Sequence, residues 1–258
     1  MESYKTIEDR ILVLESLSLG YDKVIYSNIN AHANSSEMIA IVGANGIGKS
    51  SLLKSISGIN TYPSGKIKVL NSCVENYPAG RLAQQVSFVP SQSPRAKNLS
   101  VFDMVATSCY NRTNWLGTLR KRDWELITST LALVGLEGFE NRDSSGLSDG
   151  EFQRAAIARS LVQNSRIILM DEPTAFLDIA NRIHITKLLK NITREENKTI
   201  IFSTHDLLQA LKLCDKIWVM GHSGFYEGTP NDLIERGAFD MMFKDSSLKF
   251  DRELFTFI

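Results

Sequence analysis

A glycine-rich segment near the start of the chain contains the residue types that bind phosphate. The order Gly43-x-x-x-x-Gly48-Lys49-Ser50 follows an apolar run and precedes apolar residues at helical spacing, as a P-loop does between a strand and a helix. Glycines let backbone N–H groups turn toward an anion, and the helix directs its positive dipole end there. The candidate phosphate-binding residues are Gly43, Ala44, Asn45, Gly46, Gly48, Lys49, Ser50 and Ser51. We predict that Lys49 reaches the outer phosphates of a nucleotide and that the Ser50 hydroxyl binds Mg2+, which prefers oxygen ligands.

Two adjacent carboxylates, Asp171 and Glu172, follow a second apolar run at residues 166–170. A continuous apolar strand is typical of a position buried on both faces in a parallel sheet, and such sheets bind ligands at the carboxyl ends of their strands. Asp171 suits the Mg2+ ion, whereas Glu172 points to the other face and can activate the attacking water as a general base. Paired carboxylates at a strand end are often only solvated, but the phosphate-binding loop in the same chain favours the catalytic interpretation.

The elements that must position these groups alternate between strands and helices. Apolar and β-branched runs predict strands over residues 11–17, 24–29, 38–42, 65–70, 86–89, 166–170, 199–203 and 216–220. Spacing and capping residues predict helices over 100–109, 123–134, 147–161 and 179–191, with short helices after 206 and 230. The part up to about residue 42 is expected to form an antiparallel sheet. The later switch from strands to helices predicts a helical subdomain over about 92–160, inserted in a core that comprises 1–91 and 161–258 of a single domain.

The composition argues against several classes of protein. The 258 residues include 29 basic and 29 acidic side chains, and this zero net charge argues against a general nucleic-acid binder. The apolar runs are too short to cross a bilayer and the first residues show no signal peptide, so we expect the chain to stay in the cytoplasm. Cys73, Cys109 and Cys214 lack metal-ligand spacing and are expected to be small reduced core residues.

Five motifs, in this order along the chain, resemble those of an ATP-binding cassette (ABC) ATPase subunit. They are the P-loop, Leu-Ser-Asp-Gly-Glu at 147–151, Leu-Met-Asp-Glu-Pro-Thr at 169–174, Phe-Leu-Asp at 176–178 and Thr-His-Asp at 204–206. The resemblance extends from Tyr21 to about Ile234. It implies an α/β fold of the P-loop NTPase class with a mainly parallel core sheet, an N-terminal antiparallel β-subdomain and an inserted α-helical subdomain.

The resemblance also implies a role for residues outside the P-loop. Tyr21 would stack on adenine, although an aromatic side chain at this position needs no such role to be explained. Asp171 would bind Mg2+ and Glu172 the attacking water. His205 would contact the γ-phosphate and hold Glu172 and the water in place. ATP and Mg2+ are therefore the expected ligands, and hydrolysis of ATP is the expected reaction.

Three further residues are implied to act between two copies of the chain. Ser148 and the backbone N–H of Gly150, at a helix N-terminus, would bind the γ-phosphate of ATP held by a second subunit. Asp178 matches the family's D-loop, which crosses the dimer interface and contacts the opposite site. The resemblance thus implies a head-to-tail homodimer with C2 symmetry that sandwiches two ATP molecules.

The chain departs from the family pattern at three places. The signature segment at residues 147–151 usually reads Leu-Ser-Gly-Gly-Gln in this family. Asp149 and Glu151 therefore add carboxylates near an anionic ligand, and we expect both to point away from it. The family's Q-loop glutamine is displaced by Ser91, so either Gln92 reaches the Mg2+ site through a shifted loop or that contact is missing. Ser50 replaces the commoner threonine and keeps the hydroxyl.

Four features of the chain most resemble importers of iron-siderophores, haem or vitamin B12. They are the segments 98–105 and 114–117, the signature with Glu151 and the short carboxyl end. The first hypothesis is therefore an ATPase homodimer bound to two copies of a separate permease, indirectly to a substrate-binding protein, at the cytoplasmic face of the plasma membrane. Trp115 either lines the permease groove or packs within the subdomain. The alternatives are a soluble ABC-type ATPase that regulates a cytosolic protein or nucleic acid, and the ATPase of an exporter complex.

Overall fold

The computed structural model describes residues 9–20, 22–110, 118–243, 249–252 and 255–257. The strands are β1 Arg10–Gly20, β2 Val24–Asn34, β3 Met38–Gly43, β4 Ser64–Val69, β5 Ser72–Cys73, β6 Val86–Val89, β7 Ile167–Met170, β8 Thr199–Ser203, β9 Lys216–Gly221, β10 Gly224–Gly228, β11 Phe250–Asp251 and β12 Thr256–Phe257. The helices are α1 Lys49–Ile56, α2 Ala79–Gln85, α3 Val101–Ala106, α4 Lys121–Leu133, α5 Asp149–Val162, α6 Ile179–Glu195, α7 Leu207–Leu213 and α8 Pro230–Glu235.

The first sheet is antiparallel and has the strand order β2-β1-β4-β5. In the central strand β1, Leu14 lies opposite Ala31 of β2 and opposite Ile67 of β4. All three side chains are buried, so this face of the sheet packs on the interior. The antiparallel sheet predicted for the N-terminal part is therefore present in β1 and β2.

The second sheet has the order β10-β9-β3-β8-β7-β6. Strands β9, β3, β8, β7 and β6 are parallel, and β10 pairs with β9 in the antiparallel sense. The expectation that residues 38–42 join the antiparallel sheet is wrong, because β3 lies between β8 and β9 of this second sheet. All six residues of β3 are buried, which is the pattern of a parallel strand covered on both faces and not of a half-exposed hairpin strand.

Alternate residues of β3 face two separate hydrophobic clusters. Ala40 and Val42 pack in the cluster that includes helices α3, α5 and α6. Ile39 and Ile41 pack in the cluster formed with the antiparallel sheet and α1. The parallel sheet is thus the middle layer, with a hydrophobic cluster packed on each of its faces.

Helices α3, α4 and α5 lie between β6 and β7 in the chain and bury apolar faces in one cluster. The helix predicted over 100–109 corresponds to α3, and Ser100 caps it by accepting a hydrogen bond from the backbone N–H of Asp103. Gly135, with φ 73°, follows the end of α4. The division of the domain at residues 92 and 160 stays a prediction.

The cysteines and the helix lengths bear on two further expectations. The three cysteines are thiols; Cys109 and Cys214 are buried, whereas Cys73 is half-buried. Burial raises the pKa of the Cys214 thiol, which keeps it protonated and unreactive.

In the part of the chain that the structure describes, no helix is both long enough and apolar enough to span a membrane.

Candidate active site

The P-loop connects the end of β3 at Gly43 to the start of α1 at Lys49. Gly48 precedes the helix with φ 120°, a conformation that side chains with a Cβ atom rarely adopt. Gly43, Ala44 and Asn45 line a cleft of about 580 Å3 that is also lined by His205. The loop predicted to bind phosphate therefore opens beside the residue predicted to contact the γ-phosphate.

The Lys49 ammonium lies inside the curve of the loop. Its Nζ donates hydrogen bonds to the carbonyl oxygens of Gly43 at 2.9 Å and Ala44 at 3.1 Å, and the residue is only 5% exposed. Burial lowers the pKa of Lys49, and the charges of Glu172 and Asp171 act in the opposite direction. A phosphate bound in the loop would provide the close anionic partner that the two neutral carbonyls do not.

Ser50 and Asp171 lie together, as predicted for a metal site. The Ser50 Oγ donates to Asp171 Oδ1 at 2.9 Å, and Asp171 is 6% exposed at the end of β7. A hydroxyl and a carboxylate are both hard oxygen donors, and Mg2+ in nucleotide sites commonly takes one or two protein ligands beside phosphate and water. The residues present therefore fit a Mg2+ ion.

Glu172 and His205 are in direct contact. The distance between His205 Nε2 and Glu172 Oε1 is 2.8 Å, and both side chains keep some exposure, at 46% and 29% respectively. The backbone of Glu172 has φ 47°, a left-handed conformation that strains a residue with a side chain. This turn directs the two successive carboxylates to different positions, Asp171 toward Ser50 and Glu172 toward His205.

Ser203, at the end of β8, was not among the candidates from the sequence, although it contacts both acidic residues. Its hydroxyl donates to Asp171 Oδ1 at 2.7 Å and accepts a hydrogen bond from the backbone N–H of Glu172 at 2.8 Å. The side chain is fully buried. The available signal is the pairing of β7 with β8, in which Met170 lies opposite Phe202 and brings the next residues together.

The signature segment begins helix α5, and Ser148 is its N-cap. Glu151 reaches back to this residue: its Oε2 accepts from the backbone N–H and from the hydroxyl of Ser148, each at 2.8 Å. These two donors lower the pKa of Glu151. The expectation that Glu151 points away is therefore wrong, because a capping box draws its carboxylate onto the hydroxyl predicted to bind phosphate.

Asp178 and Gly150 come close to one another through Asn181. Asp178 caps α6 and accepts from the backbone N–H of Asn181 at 2.8 Å and from its side-chain amide at 3.0 Å. These hydrogen bonds, the backbone one first, lower the pKa of Asp178. A Cβ atom at Gly150 would lie 3.1 Å from Asn181 Oδ1, so this close approach favours glycine. Two of the residues implied to act between subunits thus share one region of the surface.

Of the remaining candidates, the structure describes Ser91 and Gln92 but not Tyr21 or Trp115. Ser91 and Gln92 both line a cleft of about 370 Å3 that Glu172 also lines. Gln92 is exposed, and its role at the metal stays a prediction. Tyr21 and Trp115 lie outside the residues that the structure describes.

A comparison with models of known families decides the class of the protein. The model described as ABC transporter matches residues 26–175, more than half of the chain. The chain belongs to the ABC transporter family. It is an ATPase of this family and binds ATP, and ATP-binding subunits of ABC transporters work as dimers together with membrane permeases.

Two curated relatives and one solved structure illustrate the similarity. The petrobactin import ATP-binding protein FpuC of Bacillus anthracis is 31% identical over 217 residues, which cover 84% of this ABC ATPase and 80% of FpuC. The ferric enterobactin transport ATP-binding protein FepC of Escherichia coli (strain K12) is 29% identical over 222 residues, covering 85% and 82%. The structure of cbiO1 from Clostridium perfringens, part of the ABC transporter complex cbiONQ, has a TM-score of 0.79 and 29% identity and covers 88% and 92%.

Replacing Ser203 with alanine in this ABC ATPase is expected to lower the turnover number for ATP by about tenfold. The change removes a donor to Asp171 and the acceptor for the Glu172 N–H, which costs about 1–3 kcal/mol of free energy of unfolding and loosens both carboxylates. Ser165→Ala is the matched control, because Ser165 is also fully buried and forms a hydrogen bond with Ser87 at 2.9 Å. Ser165 lies before the start of β7, at the opposite end of the strand from Asp171. Steady-state hydrolysis and thermal unfolding should separate the two; an equal loss of turnover in both would contradict a local effect.

Replacing Glu151 with glutamine is expected to reduce the ATP concentration for half-maximal turnover by about fivefold. Glutamine keeps the capping box but removes a negative charge near the helix N-terminus, an effect of about 1 kcal/mol. Asp232→Asn is the control, because Asp232 forms the capping box of α8 with Thr229. An unchanged or higher ATP requirement in Glu151→Gln would show that the carboxylate does not oppose phosphate binding.

Proposed function

We propose that this ABC ATPase powers the import of an iron chelate (siderophore), with haem or cobalamin as the other candidate cargoes, through a separate membrane permease. The observation that carries the ATPase role is the continuous chain of hydrogen bonds from Ser50 through Asp171 and Ser203 to Glu172, and from Glu172 to His205. The choice of cargo is supported by FpuC and FepC, which are named for the import of petrobactin and the transport of ferric enterobactin.

In the proposed mechanism the loop and Lys49 bind the phosphates of ATP, and Ser50 and Asp171 would hold Mg2+. The bound Mg2+ would neutralise charge on the phosphate oxygens. Glu172 orients the attacking water and accepts its proton. An ionised carboxylate can only accept hydrogen bonds, so the proton in the contact between His205 and Glu172 lies on His205 Nε2. His205 therefore holds the base in position, and Tyr21 would stack on the adenine.

The dimer that we propose is head-to-tail with C2 symmetry. Ser148 and the N–H of Gly150 contact the γ-phosphate of ATP bound to the second subunit, and Asp178 approaches the opposite site. Apolar side chains flank Asp178 at the surface: Phe176 is 63% exposed and Ile179 is 76% exposed. Such exposed apolar groups support an interface with another protein surface at this loop. The permease and, through it, a substrate-binding protein complete the proposed assembly at the cytoplasmic face of the membrane.

The cargo is tested by uptake in cells that lack the gene for this chain. Labelled ferric siderophore, haem and cobalamin are supplied separately under limitation, and a strain that expresses Glu172→Gln serves as a folded but inactive control. We expect uptake of one ligand class to fall in both strains and to be restored by the unchanged protein. Normal uptake of all three classes would overturn the importer proposal.

The partner is tested by purifying tagged Glu172→Gln protein from detergent-solubilised native cells with ATP and Mg2+. We expect a polytopic permease of the import class to be recovered. An export permease would support the exporter alternative, and recovery of only soluble proteins or nucleic acid would support the regulatory one. Either result would overturn the importer proposal.

A further inference from the structure

The side chain of Arg95 connects the loop after β6 to the signature segment. Its Nη1 donates to the Leu147 carbonyl oxygen and its Nη2 donates to Asp149 Oδ1, each at 2.5 Å. The guanidinium also lies over the Phe152 ring, 4.8 Å from its centre. Three contacts from one side chain therefore hold the loop against the first turn of α5.

The first turn of α5 has an unusual excess of negative charge for a phosphate-binding helix start. Asp149 and Glu151 both lie there, where they stabilise the helix dipole but weaken its attraction for an anion. Glu151 is bound to Ser148. Asp149 has 64% of its side chain exposed, and its described ion-pair partner is Arg95. Arg95 is thus the cation that compensates this second carboxylate.

Packing keeps Arg95 in this position. Only 32% of its side chain is exposed, compared with 64% for Asp149. The stacking on Phe152 and the bond to the Leu147 carbonyl fix the guanidinium independently of the aspartate. A pair with one preorganised member loses less side-chain entropy than two mobile surface charges do.

The same loop carries Ser91 and Gln92. Both of them line the cleft of about 370 Å3 that Arg95, Asp149 and Glu172 also line. Arg95 therefore shares one cleft with the signature segment, which is proposed to act on the second subunit, and with Glu172. A change in its contact with Asp149 would alter the charge that the signature segment presents to the second subunit.

We propose that Arg95 is a positioning residue that neutralises Asp149, so that Ser148 and the N–H of Gly150 present a net attractive surface to the γ-phosphate of the second subunit's ATP. This inference rests on the proposed head-to-tail dimer. It assigns Arg95 no contact with ATP. Its loss therefore weakens dimer closure and leaves the binding of nucleotide by the single subunit unchanged.

The test measures ATP-driven dimerisation by analytical ultracentrifugation in the Glu172→Gln background. Adding Arg95→Ala is expected to raise the ATP concentration for half-maximal dimer at least fivefold. Adding Asp149→Asn as well should return it to within twofold of the parent, because the charge that needed compensation is gone. Arg95→Lys, which keeps the charge, should also stay within twofold. Binding of a fluorescent ATP analogue by dilute, monomeric protein should be the same in all of them.

The salt dependence of dimerisation distinguishes an electrostatic role of Arg95 from a purely structural one. Screening shortens the range of surface electrostatics from about 10 Å at 0.1 M salt to about 3 Å at 1 M. The deficit of Arg95→Ala relative to its parent should therefore shrink at high salt. Asp149→Asn alone, which leaves Arg95 and its packing in place, should dimerise at the same or lower ATP concentration than the parent, and this holds even where Arg95→Ala folds poorly.

The outcomes separate this inference from the proposed function. If the parent with Arg95 intact does not dimerise with ATP, the proposed dimer is wrong. If the parent dimerises and Arg95→Ala does so at the same ATP concentration, the inference is wrong and the dimer stands. A double variant as impaired as Arg95→Ala, or a deficit independent of salt, would also overturn the inference, because both indicate lost packing and not an uncompensated charge.

Discussion

The Glu172→Gln variant is expected to hydrolyse ATP about a hundredfold to a thousandfold more slowly than the unchanged protein and to bind ATP equally well. A positioned general base contributes about 10²- to 10⁴-fold to a rate. The amide that replaces the carboxylate has nearly the same shape but cannot accept the proton of the attacking water. His205 can still donate to the amide oxygen, so the 2.8 Å contact and the local packing should survive.

The measurement has two parts. Steady-state hydrolysis with Mg2+ gives the turnover number. Ultracentrifugation with ATP gives the population of the proposed ATP-bound dimer, which should accumulate because the ATP held between the subunits is no longer hydrolysed. Glu195→Gln is the control, because Glu195 is exposed at the end of α6. Wild-type turnover in Glu172→Gln would reject this residue as the base, and slow turnover without retained ATP binding would indicate damage to the site as a whole.

Local sequence patterns predict much of the framework of this site. The apolar runs predict strands over 86–89 and 199–203, and the structure has β6 and β8 at the same residues. A strand is easy to delimit from the sequence where its apolar run ends at polar residues, because polar side chains need water or a hydrogen-bond partner. The contact of Ser50 with Asp171 follows from the same logic, since both lie at one edge of a parallel sheet.

Contacts between segments far apart in the chain were not predictable in the same way. Arg95 and Asp149 are 54 positions apart, and their pairing depends on how the loop after β6 folds back on α5. The place of β3 in the second sheet depends on β8 and β9, which follow much later in the chain. Helix α2 and the paired strands β11 and β12 are short elements with little periodicity, so no clear pattern in the sequence predicts them.

Glu151 illustrates a local signal with two meanings. Serine followed three residues later by glutamate is the sequence of a capping box, and the same residues occupy the family signature. The expectation that the Glu151 carboxylate points away from the phosphate rests only on repulsion between two negative charges. In the subunit by itself, the two donors of Ser148 are the stronger local influence, and the structure has the carboxylate there.

The Lys49→Ala variant is expected to lose nucleotide affinity by about 10- to 100-fold. A hydrogen bond that involves a charged group contributes about 1.5–3 kcal/mol, and Lys49 is the buried cation beside the predicted phosphate position. Its removal also leaves Asp171 and Glu172 without the positive charge that acts on both of them. Their field would then oppose the entry of a polyanion, so the affinity should fall further at low salt.

Equilibrium binding of ATP, with and without Mg2+, measures this effect. Lys49→Met keeps most of the side-chain volume and separates the loss of charge from the loss of packing around the Gly43 and Ala44 carbonyls. Lys54→Ala is the control within the same helix, because Lys54 is half-exposed on α1 and one turn beyond the loop. We expect both Lys49 variants to show this loss of affinity of about 10- to 100-fold, whereas Lys54→Ala should bind ATP normally. Unchanged ATP affinity in Lys49→Met would contradict the assignment of this loop to the phosphates, since no other feature of the loop replaces a buried ammonium.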